Sequence, residues 1–139
     1  PVQKSALREG EQLEERVLVV DTMGELGRIY GIASCVFVGG SLVPRGGQNM
    51  IEPAGLGRPV CFGPQIENFA EIGEMLVNSG AASYVRDARE LEQKLDVLLS
   101  DPARAKEMGR TGEALVERLR GSTHRTVEII RNVLNGKGK

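Results

Sequence analysis

"CVFVGGSLVPRGGQNMIEPAGLGRPVCFGP", residues 35–64, joins two short apolar segments through a segment rich in glycine and proline. Residues 39–60 alone hold six of the chain's 18 glycines and three of its six prolines. The apolar segments "CVFV" and "PVCF" are typical of short strands that are buried on both faces of a sheet. The intervening "NMIEPAGLG" predicts a short helix. This order of strand, loop, helix and strand predicts a parallel pair of strands joined by a helical crossover.

The same alternation continues on both sides of this segment. "RVLVVD" predicts an earlier strand, buried on both faces, and "GELGRIYGIAS" a helix after it. Further along, "ENFAEIGEMLVNSG" predicts a helix, "AASYVRD" a weaker fourth strand, and three more helices begin near residues 88, 101 and 122. The pattern predicts an α/β fold, a Rossmann-like parallel sheet flanked by helices. Four strands are few for such a sheet, so we expect one or two leading strands to be missing.

The length of 139 residues suits one domain. Residues 1–15 are polar without a clear period, and we expect a flexible or truncated N-terminal arm there. We expect the Rossmann-like domain to span residues 16–135 and residues 136–139 to form a disordered tail. Missing strands would expose a sheet edge, through which the chain could self-associate.

The composition excludes several classes of protein. With 40% hydrophobic and 27% charged residues and a formal net charge of −1, the chain has the composition of a soluble globular protein without a basic nucleic-acid footprint. No apolar run approaches the ~18 residues that a membrane span needs. Cys35 and Cys61 lie in apolar segments, which predicts buried, reduced thiols and a cytosolic compartment.

The glycine-rich segment has the properties of a ligand site. Ligands of open α/β sheets bind at the carboxyl ends of the strands, where this segment begins. Main-chain N–H groups at a helix start favour an anion by ~0.3–1 kcal/mol per charge. Gly46 and Gly47 would let the backbone approach a phosphate closely. Ser41 and Asn49 offer short polar side chains, and Arg45 a guanidinium group.

Glu52 would repel a phosphate, so its natural role is to accept hydrogen bonds from the vicinal hydroxyls of a sugar. A structural alternative stays open, because Asn49-x-x-Glu52 also fits a capping box in which the two residues satisfy each other's backbone N–H groups. Glycines and prolines also mark turns that bind no ligand.

Several motifs in one order carry a resemblance to a known family. They are "DTMGEL" (21–26), "FVGGSLVPRGGQN" (37–49), "EPAGLGRPV" (52–60), "GP" (63–64) and "NFAEI" (68–72). Together they resemble Kdo transferase, the 3-deoxy-D-manno-octulosonic acid transferase of lipopolysaccharide biosynthesis. The resemblance is dense over residues 16–72 and looser to the C-terminus. The family usually has His where this chain has Gln48, so no role for an imidazole is carried over.

The resemblance implies a GT-B glycosyltransferase with two Rossmann-like halves, of which this chain is similar to the C-terminal, donor-binding half. It implies CMP-Kdo as the donor, a lipid A precursor as the acceptor, inversion at the transferred sugar, and no metal or other cofactor. The catalytic glutamate and the membrane anchor belong to the N-terminal half in this family. The resemblance thus implies no catalytic residue here and an inactive, soluble fragment of a protein located at the cytoplasmic face of the bacterial inner membrane.

The motif positions also imply donor-binding residues: Thr22, Met23, Gly24, Glu25, Gly40, Ser41, Arg45, Gly46, Gly47, Asn49 and Glu52. The first four would line the nucleotide pocket, Glu52 would hold the ribose hydroxyls, and the others would surround the donor's phosphate and sugar. A structural alternative for residues 22–25 is a helix N-cap, with Thr22 capping and Glu25 at the third helical position.

Two other interpretations fit the sequence. One is a stand-alone nucleotide- or phosphosugar-binding module with a regulatory or scaffolding role. The other is a truncated domain whose pocket is incomplete and empty. The sequence upstream of Pro1 in the gene distinguishes the stand-alone module from a transferase, because a transferase would carry another Rossmann-like half upstream of Pro1.

Overall fold

The computed structural model of the chain describes residues 1–8, 10–12 and 14–134, so the predicted tail at 136–139 lies outside the described part. Its main sheet has three parallel strands in the order β3-β4-β5, formed by Val36–Phe37, Val60–Phe62 and Ala82–Tyr84. In the register of this sheet, Val36 lies opposite Val60, and Val60 opposite Ala82. The parallel strands with intervening helices confirm the predicted α/β class.

Two short strands form a separate parallel pair, β1 (Val2–Gln3) and β2 (Leu18–Val19). The helices are α1 (Leu26–Ile32), α2 (Ile51–Gly55), α3 (Ala70–Asn78), α4 (Ala88–Ser100) and α5 (Pro102–Leu134). Short 3-10 turns occupy Lys4–Ala6 and Glu67–Phe69.

The core lies between the main sheet and helices α2, α3 and α5. Its largest fully buried side chains include Phe62, Met50, Leu76 and Val60. Continuous burial of Val60–Phe62 explains why the apolar run predicted this strand correctly, since the central strand of a parallel sheet is covered on both faces. The core therefore fixes β4, and with it the loops that leave β3 and β4 at the same edge.

The prediction of burial for the run at residues 16–21 was wrong. Val17, Leu18 and Val19 are 55%, 37% and 44% exposed. Within the described part of the chain, the strand neighbour of β2 is β1 and not the main sheet, so no apolar layer covers it. A β-branched run predicts a strand but does not say what packs on its faces.

Residues 1–8 make backbone and side-chain contacts with the segment around β2. Besides forming β1, this segment donates two hydrogen bonds to the carboxylate of Asp21, from the N–H of Ser5 at 2.9 Å and from its hydroxyl at 2.5 Å. Lys4 forms an ion pair with Glu25 at 2.7 Å. These contacts attach the segment to the residues that follow β2. The domain boundaries at residues 15 and 135 stay a prediction.

Helix α5 runs without interruption from Pro102 to Leu134, where the sequence predicted two helices divided at Gly121. An isolated glycine costs a helix only about 1 kcal/mol relative to alanine, which helical segments on both sides outweigh. The predicted N-terminal end of the helix was correct, because Asp101 precedes Pro102 and its carboxylate accepts a hydrogen bond from the N–H of Arg104.

Helix α5 packs against α2 through residues without bulky side chains. A Cβ atom at Gly109 would overlap the carbonyl oxygen of Gly57, and one at Gly112 would lie 3.2 Å from the carbonyl oxygen of Ala54. On the other side, a Cβ atom at Gly55 would lie 3.0 Å from Cγ1 of Val116. The two helices therefore approach to backbone contact, and this fixes α5 along the length of α2.

Candidate functional site

Two loops leave the main sheet at the same edge. The glycine loop, residues 38–50, joins β3 to α2, and the second loop, residues 63–69, joins β4 to α3. The N–H of Gln65 donates a hydrogen bond to the carbonyl oxygen of Ser41 at 2.8 Å, which ties the loops together. A Cβ atom at Gly63 would overlap the same carbonyl oxygen, so glycine is required for this approach.

Ser41 lies in the interior, fully buried between these loops. Its hydroxyl donates to the carbonyl oxygen of Val38 at 2.5 Å and accepts a hydrogen bond from the N–H of Gly63 at 2.8 Å. The side chain that the sequence placed beside a ligand thus has its hydrogen-bonding partners inside the protein. Its contribution to a site is to hold the backbone of the glycine loop.

The glycines of the loop have the backbone conformation that favours glycine. Gly40, Gly46 and Gly47 have φ angles of 75°, 77° and 68°. Gly47 is buried, and a Cβ atom there would lie 3.0 Å from the carbonyl oxygen of Gln65, so the second loop makes the close approach at this position. A Cβ atom at Gly46 would lie 3.5 Å from Nδ2 of Asn68.

The far side of the glycine loop carries Arg45, which is exposed. Within the described residues its guanidinium forms no ion pair, and its Cβ lies 3.6 Å from the position that a Cβ atom at Gly40 would take. The structure thus brings Gly40, Arg45, Gly46 and Gly47 together in one folded loop, with Ser41 beneath them.

Asn49 and Glu52 lie at the start of α2. The side-chain oxygen of Asn49 accepts a hydrogen bond at 2.9 Å from the N–H of Ile51, the first residue of α2, and not from the N–H of Glu52; the residue at the N-cap position is Met50. The capping box was therefore not formed. Glu52 is exposed and its carboxylate makes no hydrogen bond or ion pair to the described residues. A carboxylate left free in this way is available to accept hydrogen bonds from a ligand.

Both residues line one cavity of about 530 Å³, which we call the Glu52 cavity. It is bounded by the first turn of α1, the start of α2 and one position of α5; its lining residues are Gly27, Asn49, Ile51, Glu52, Gly55, Leu56 and Arg120. Tyr30 of α1 lies close enough for its pKa to be raised by burial and, to a smaller extent, by the charge of Glu52. Helices α1 and α2 therefore face each other across the carboxylate.

Residues 22–25 form the turn before α1. The hydroxyl of Thr22 donates to the carboxylate of Glu25, and α1 begins at Leu26 without a capping hydrogen bond to a side chain. The N-cap alternative for Thr22 was therefore wrong. The ion pair with Lys4 and the bond from Thr22 hold the pKa of Glu25 below its ordinary value.

The other two residues of this turn have open surroundings. Gly24 has a φ angle of 81°, and Met23 is 97% exposed. Gly27, one helical turn further, reaches the Glu52 cavity. Residues 22–25 themselves are not among the lining residues of the cavity that holds Asn49 and Glu52, whereas Gly27 in the helix that follows them is.

Five residues that line the cavity were not assigned to the site from the sequence: Gly27, Ile51, Gly55, Leu56 and Arg120. Gly27 directly follows the "DTMGEL" motif, so the motif could have indicated that Gly27 lies near the site. Arg120 lies far along the chain in a helix rich in charges, and the sequence gives no sign that this arginine differs from its neighbours. The contact exists because α5 is packed on α2.

Two other kinds of site are absent from the part of the chain that the structure describes. No group of three or more His, Cys, Asp or Glu side chains has an arrangement that could hold a metal ion. None of the described helices combines the length and the apolar character that crossing a membrane requires.

Comparison with curated proteins finds relatives of one kind along most of the chain. The chain is 36% identical over 120 residues to a 3-deoxy-D-manno-octulosonic acid transferase of Haemophilus influenzae, covering 86% of this chain and 28% of that protein. It is 36% identical over 118 residues to that of Bordetella pertussis, covering 85% of this chain and 28% of that protein. The chain thus spans little more than a quarter of the length of these relatives. No family model matches the chain.

A solved structure agrees in fold. The C-terminal CMP-Kdo binding domain of WaaA from Acinetobacter baumannii superimposes with a TM-score of 0.67 at 30% sequence identity, covering 71% of this chain and 52% of that one. The resemblance read from the motifs at residues 21–72 and the Rossmann-like half of a GT-B enzyme are both confirmed. By sequence and by fold, the chain is a homologue of the C-terminal part of the 3-deoxy-D-manno-octulosonic acid transferases.

Proposed function

We propose that this chain is the donor-binding part of an inverting glycosyltransferase that transfers Kdo from CMP-Kdo to a lipid A precursor. The observation that carries the proposal is the free carboxylate of Glu52, which faces a cavity shared with Asn49 and with Gly27 of α1. A carboxylate without a protein partner is suited to accept hydrogen bonds from the two ribose hydroxyls of a cytidine nucleotide. The relatives and the matching donor-binding domain support this choice of ligand.

The residues of the site have different parts in this proposal. Those that contact the donor are Thr22, Met23, Gly24, Glu25, Gly40, Arg45, Gly46, Asn49 and Glu52. Ser41 and Gly47 contribute to the site through their backbone, because both are buried where the glycine loop meets the second loop. Glu52 holds the ribose, and the exposed guanidinium of Arg45 offsets the charge of the donor's phosphate and carboxylate.

The chemistry follows from the donor. As the bond between the sugar and the phosphate breaks, the departing CMP gains negative charge, and hydrogen-bond donors fixed in advance around it lower the barrier. The hydrogen bonds between the two loops fix the glycine loop before any ligand arrives. The base that activates the acceptor belongs to the other half of the whole enzyme, so this chain alone binds the donor without catalysing transfer. In this proposal the whole enzyme acts at the cytoplasmic face of the inner membrane.

A titration of the isotopically labelled chain with CMP tests the proposal by NMR, with UMP and inorganic phosphate as comparison ligands. We expect the shifts to concentrate at residues 22–25, 40–49 and 52 and to be larger for CMP than for the other two ligands. Glu52→Gln should weaken CMP binding roughly tenfold, because the neutral amide accepts weaker hydrogen bonds from the ribose. Glu92→Gln on α4 makes the same change of charge away from the cavity and should leave binding unaltered.

Two results would count against the proposal. A folded chain whose spectrum does not respond to CMP would show that these residues do not bind the nucleotide by themselves. Equal affinity of the wild type and Glu52→Gln, with a lower melting temperature of the variant, would instead give Glu52 a structural role. Transferase activity of the chain alone would contradict the assignment of the base to the other half.

A further inference from the structure

We infer that Arg120 of α5 is a donor-binding residue whose guanidinium contacts the phosphate of the nucleotide across the Glu52 cavity. The inference rests on the proposed function and extends the site beyond residues 22–52. It assigns to α5 a wall of the donor site, in the part of the chain where the resemblance to the family is loose.

The position of Arg120 on α5 follows from the helical repeat. Gly109, Gly112 and Val116 make the close contacts with α2 and are spaced by three and four residues. Residues at this spacing share one face of a helix. Arg120 comes four residues after Val116, so it lies one turn further along the face that is packed on α2. It is the charged continuation of a stripe of small and apolar residues.

The direction of the packing brings this position to the start of α2. Gly109 lies against Gly57, just after the end of α2, whereas Gly112 lies against Ala54. Val116, one turn further along α5, lies against Gly55. Arg120, on the next turn of α5, lines the Glu52 cavity together with Ile51 and Glu52 at the start of α2.

The charges in the cavity match the two polar parts of a nucleotide. Among its lining residues only Glu52 and Arg120 are charged; the rest are neutral. The carboxylate accepts hydrogen bonds from sugar hydroxyls, and the guanidinium offers several N–H donors in a plane that fits two phosphate oxygens. A nucleoside monophosphate carries both groups on one ribose. One cavity can thus hold both ends of it.

The guanidinium of Arg120 is free to turn toward a ligand at low cost. It forms an ion pair with Glu117 at 3.7 Å, with the two side chains 73% and 75% exposed. An exposed pair of this kind contributes little to stability. Exchanging Glu117 for a phosphate oxygen inside the cavity replaces a weak contact by charge-assisted hydrogen bonds.

The test compares two ligands that differ only in the phosphate, CMP and cytidine. Arg120→Gln in the 139-residue chain should weaken CMP binding roughly tenfold, the usual effect of losing a hydrogen bond between charged groups, and leave cytidine binding unchanged. Arg120→Lys keeps the charge without the planar group and should retain part of the affinity. Isothermal titration calorimetry measures the affinities of the wild type and both variants for CMP and for cytidine. Circular dichroism confirms that the variants are folded.

Arg118→Gln is the matched control. Arg118 is also an exposed arginine of α5, but it lies two residues away and lines a different cavity with Arg110. Its replacement removes the same charge and should leave CMP binding unaltered. Equal losses for both variants, or an equal loss for CMP and cytidine in Arg120→Gln, would overturn the inference.

The two proposals fail in different ways. If the wild type and Arg120→Gln bind CMP equally, Arg120 is not a phosphate ligand, while the donor site itself stands. If the wild type does not bind CMP, the proposed function fails, and the role of Arg120 fails with it.

Discussion

The hydroxyl of Ser41 and the backbone N–H of Gly63 are joined by a hydrogen bond of 2.8 Å inside the protein. The same hydroxyl donates to the carbonyl oxygen of Val38, so a single side chain links the ends of β3 and β4. Both loops of the candidate site begin at this link. Their relative position is therefore set by buried hydrogen bonds and not by the exposed residues that would meet a ligand.

Removing this hydroxyl should destabilise the protein. In Ser41→Ala the N–H of Gly63 stays buried without a partner, which costs about 1–3 kcal/mol. Urea unfolding measures the change. Ser79→Ala is the control, since the Ser79 hydroxyl also donates to a carbonyl three residues earlier, that of Leu76 at 3.0 Å, but is only partly buried and accepts no backbone N–H. Equal losses of stability for the two variants would mean that the link between the loops is unimportant.

Two glycines of α5 should respond in opposite ways to replacement by alanine. At Gly109 the new Cβ would overlap the carbonyl oxygen of Gly57, and we expect a loss of about 1–3 kcal/mol as the helices are forced apart. At Gly121 nothing lies within 4 Å, so alanine should stabilise the helix by about 0.5–1 kcal/mol. Thermal unfolding of both variants gives the two signs. A stabilised Gly109→Ala would contradict the close packing of α5 on α2.

The attachment of residues 1–8 should depend on pH. The hydroxyl and N–H of Ser5 hold the pKa of Asp21 below its ordinary value of 3.8. A lowered pKa in the folded protein means that this contact stabilises above pH 3.8 and is lost as the pH falls through the folded pKa. The amide signal of Ser5 should follow this titration in NMR spectra.

Ser5→Ala provides the comparison for that titration. Without the hydroxyl, the pKa of Asp21 should move up toward its ordinary value, and the segment should detach at a higher pH. An Asp21 carboxyl that titrates identically in both proteins would show that Ser5 does not hold it.

The two cysteines should differ in reactivity. Cys61 is fully buried in β4, and burial raises the pKa of its thiol to about 11, with the charge of Cys35 adding to the shift and that of Lys94 opposing it. At pH 8 about one Cys61 in a thousand is then a thiolate, the reactive form. A thiol reagent should label the partly exposed Cys35 first and Cys61 only on unfolding. Mass spectrometry of the labelled peptides would reveal the opposite order if the assignment is mistaken.

The sequence predicted the main sheet and the loop well, because apolar runs between glycines carry a strong local signal. It predicted that the side chain of Ser41 lies beside the donor's phosphate and sugar; in the structure Ser41 is fully buried and its hydroxyl bonds to the protein backbone. The sequence pattern of glycines and a serine after a strand is the same whether these residues approach a ligand or a neighbouring loop. Only the position of the second loop, which is a matter of tertiary packing, decides between the two.

Other features depended on contacts between distant parts of the chain. The N-terminal residues carry little pattern, and their order comes from the pairing of β1 with β2 and from Ser5 meeting Asp21. Arg120 resembles every other arginine of α5 in its local sequence. Arg120 reaches the cavity because Gly109 and Gly112 let α5 pack closely on α2. The role of these two glycines is visible only in the packed structure.

The contact of Arg120 with the cavity of Glu52 also sets an order of events during synthesis. Residues 49–52 leave the ribosome well before residue 120. The last wall of the cavity is added only when α5 docks on α2. Binding of a small ligand at this cavity would therefore report that the polypeptide has been completed through α5, and not merely that its sheet has formed.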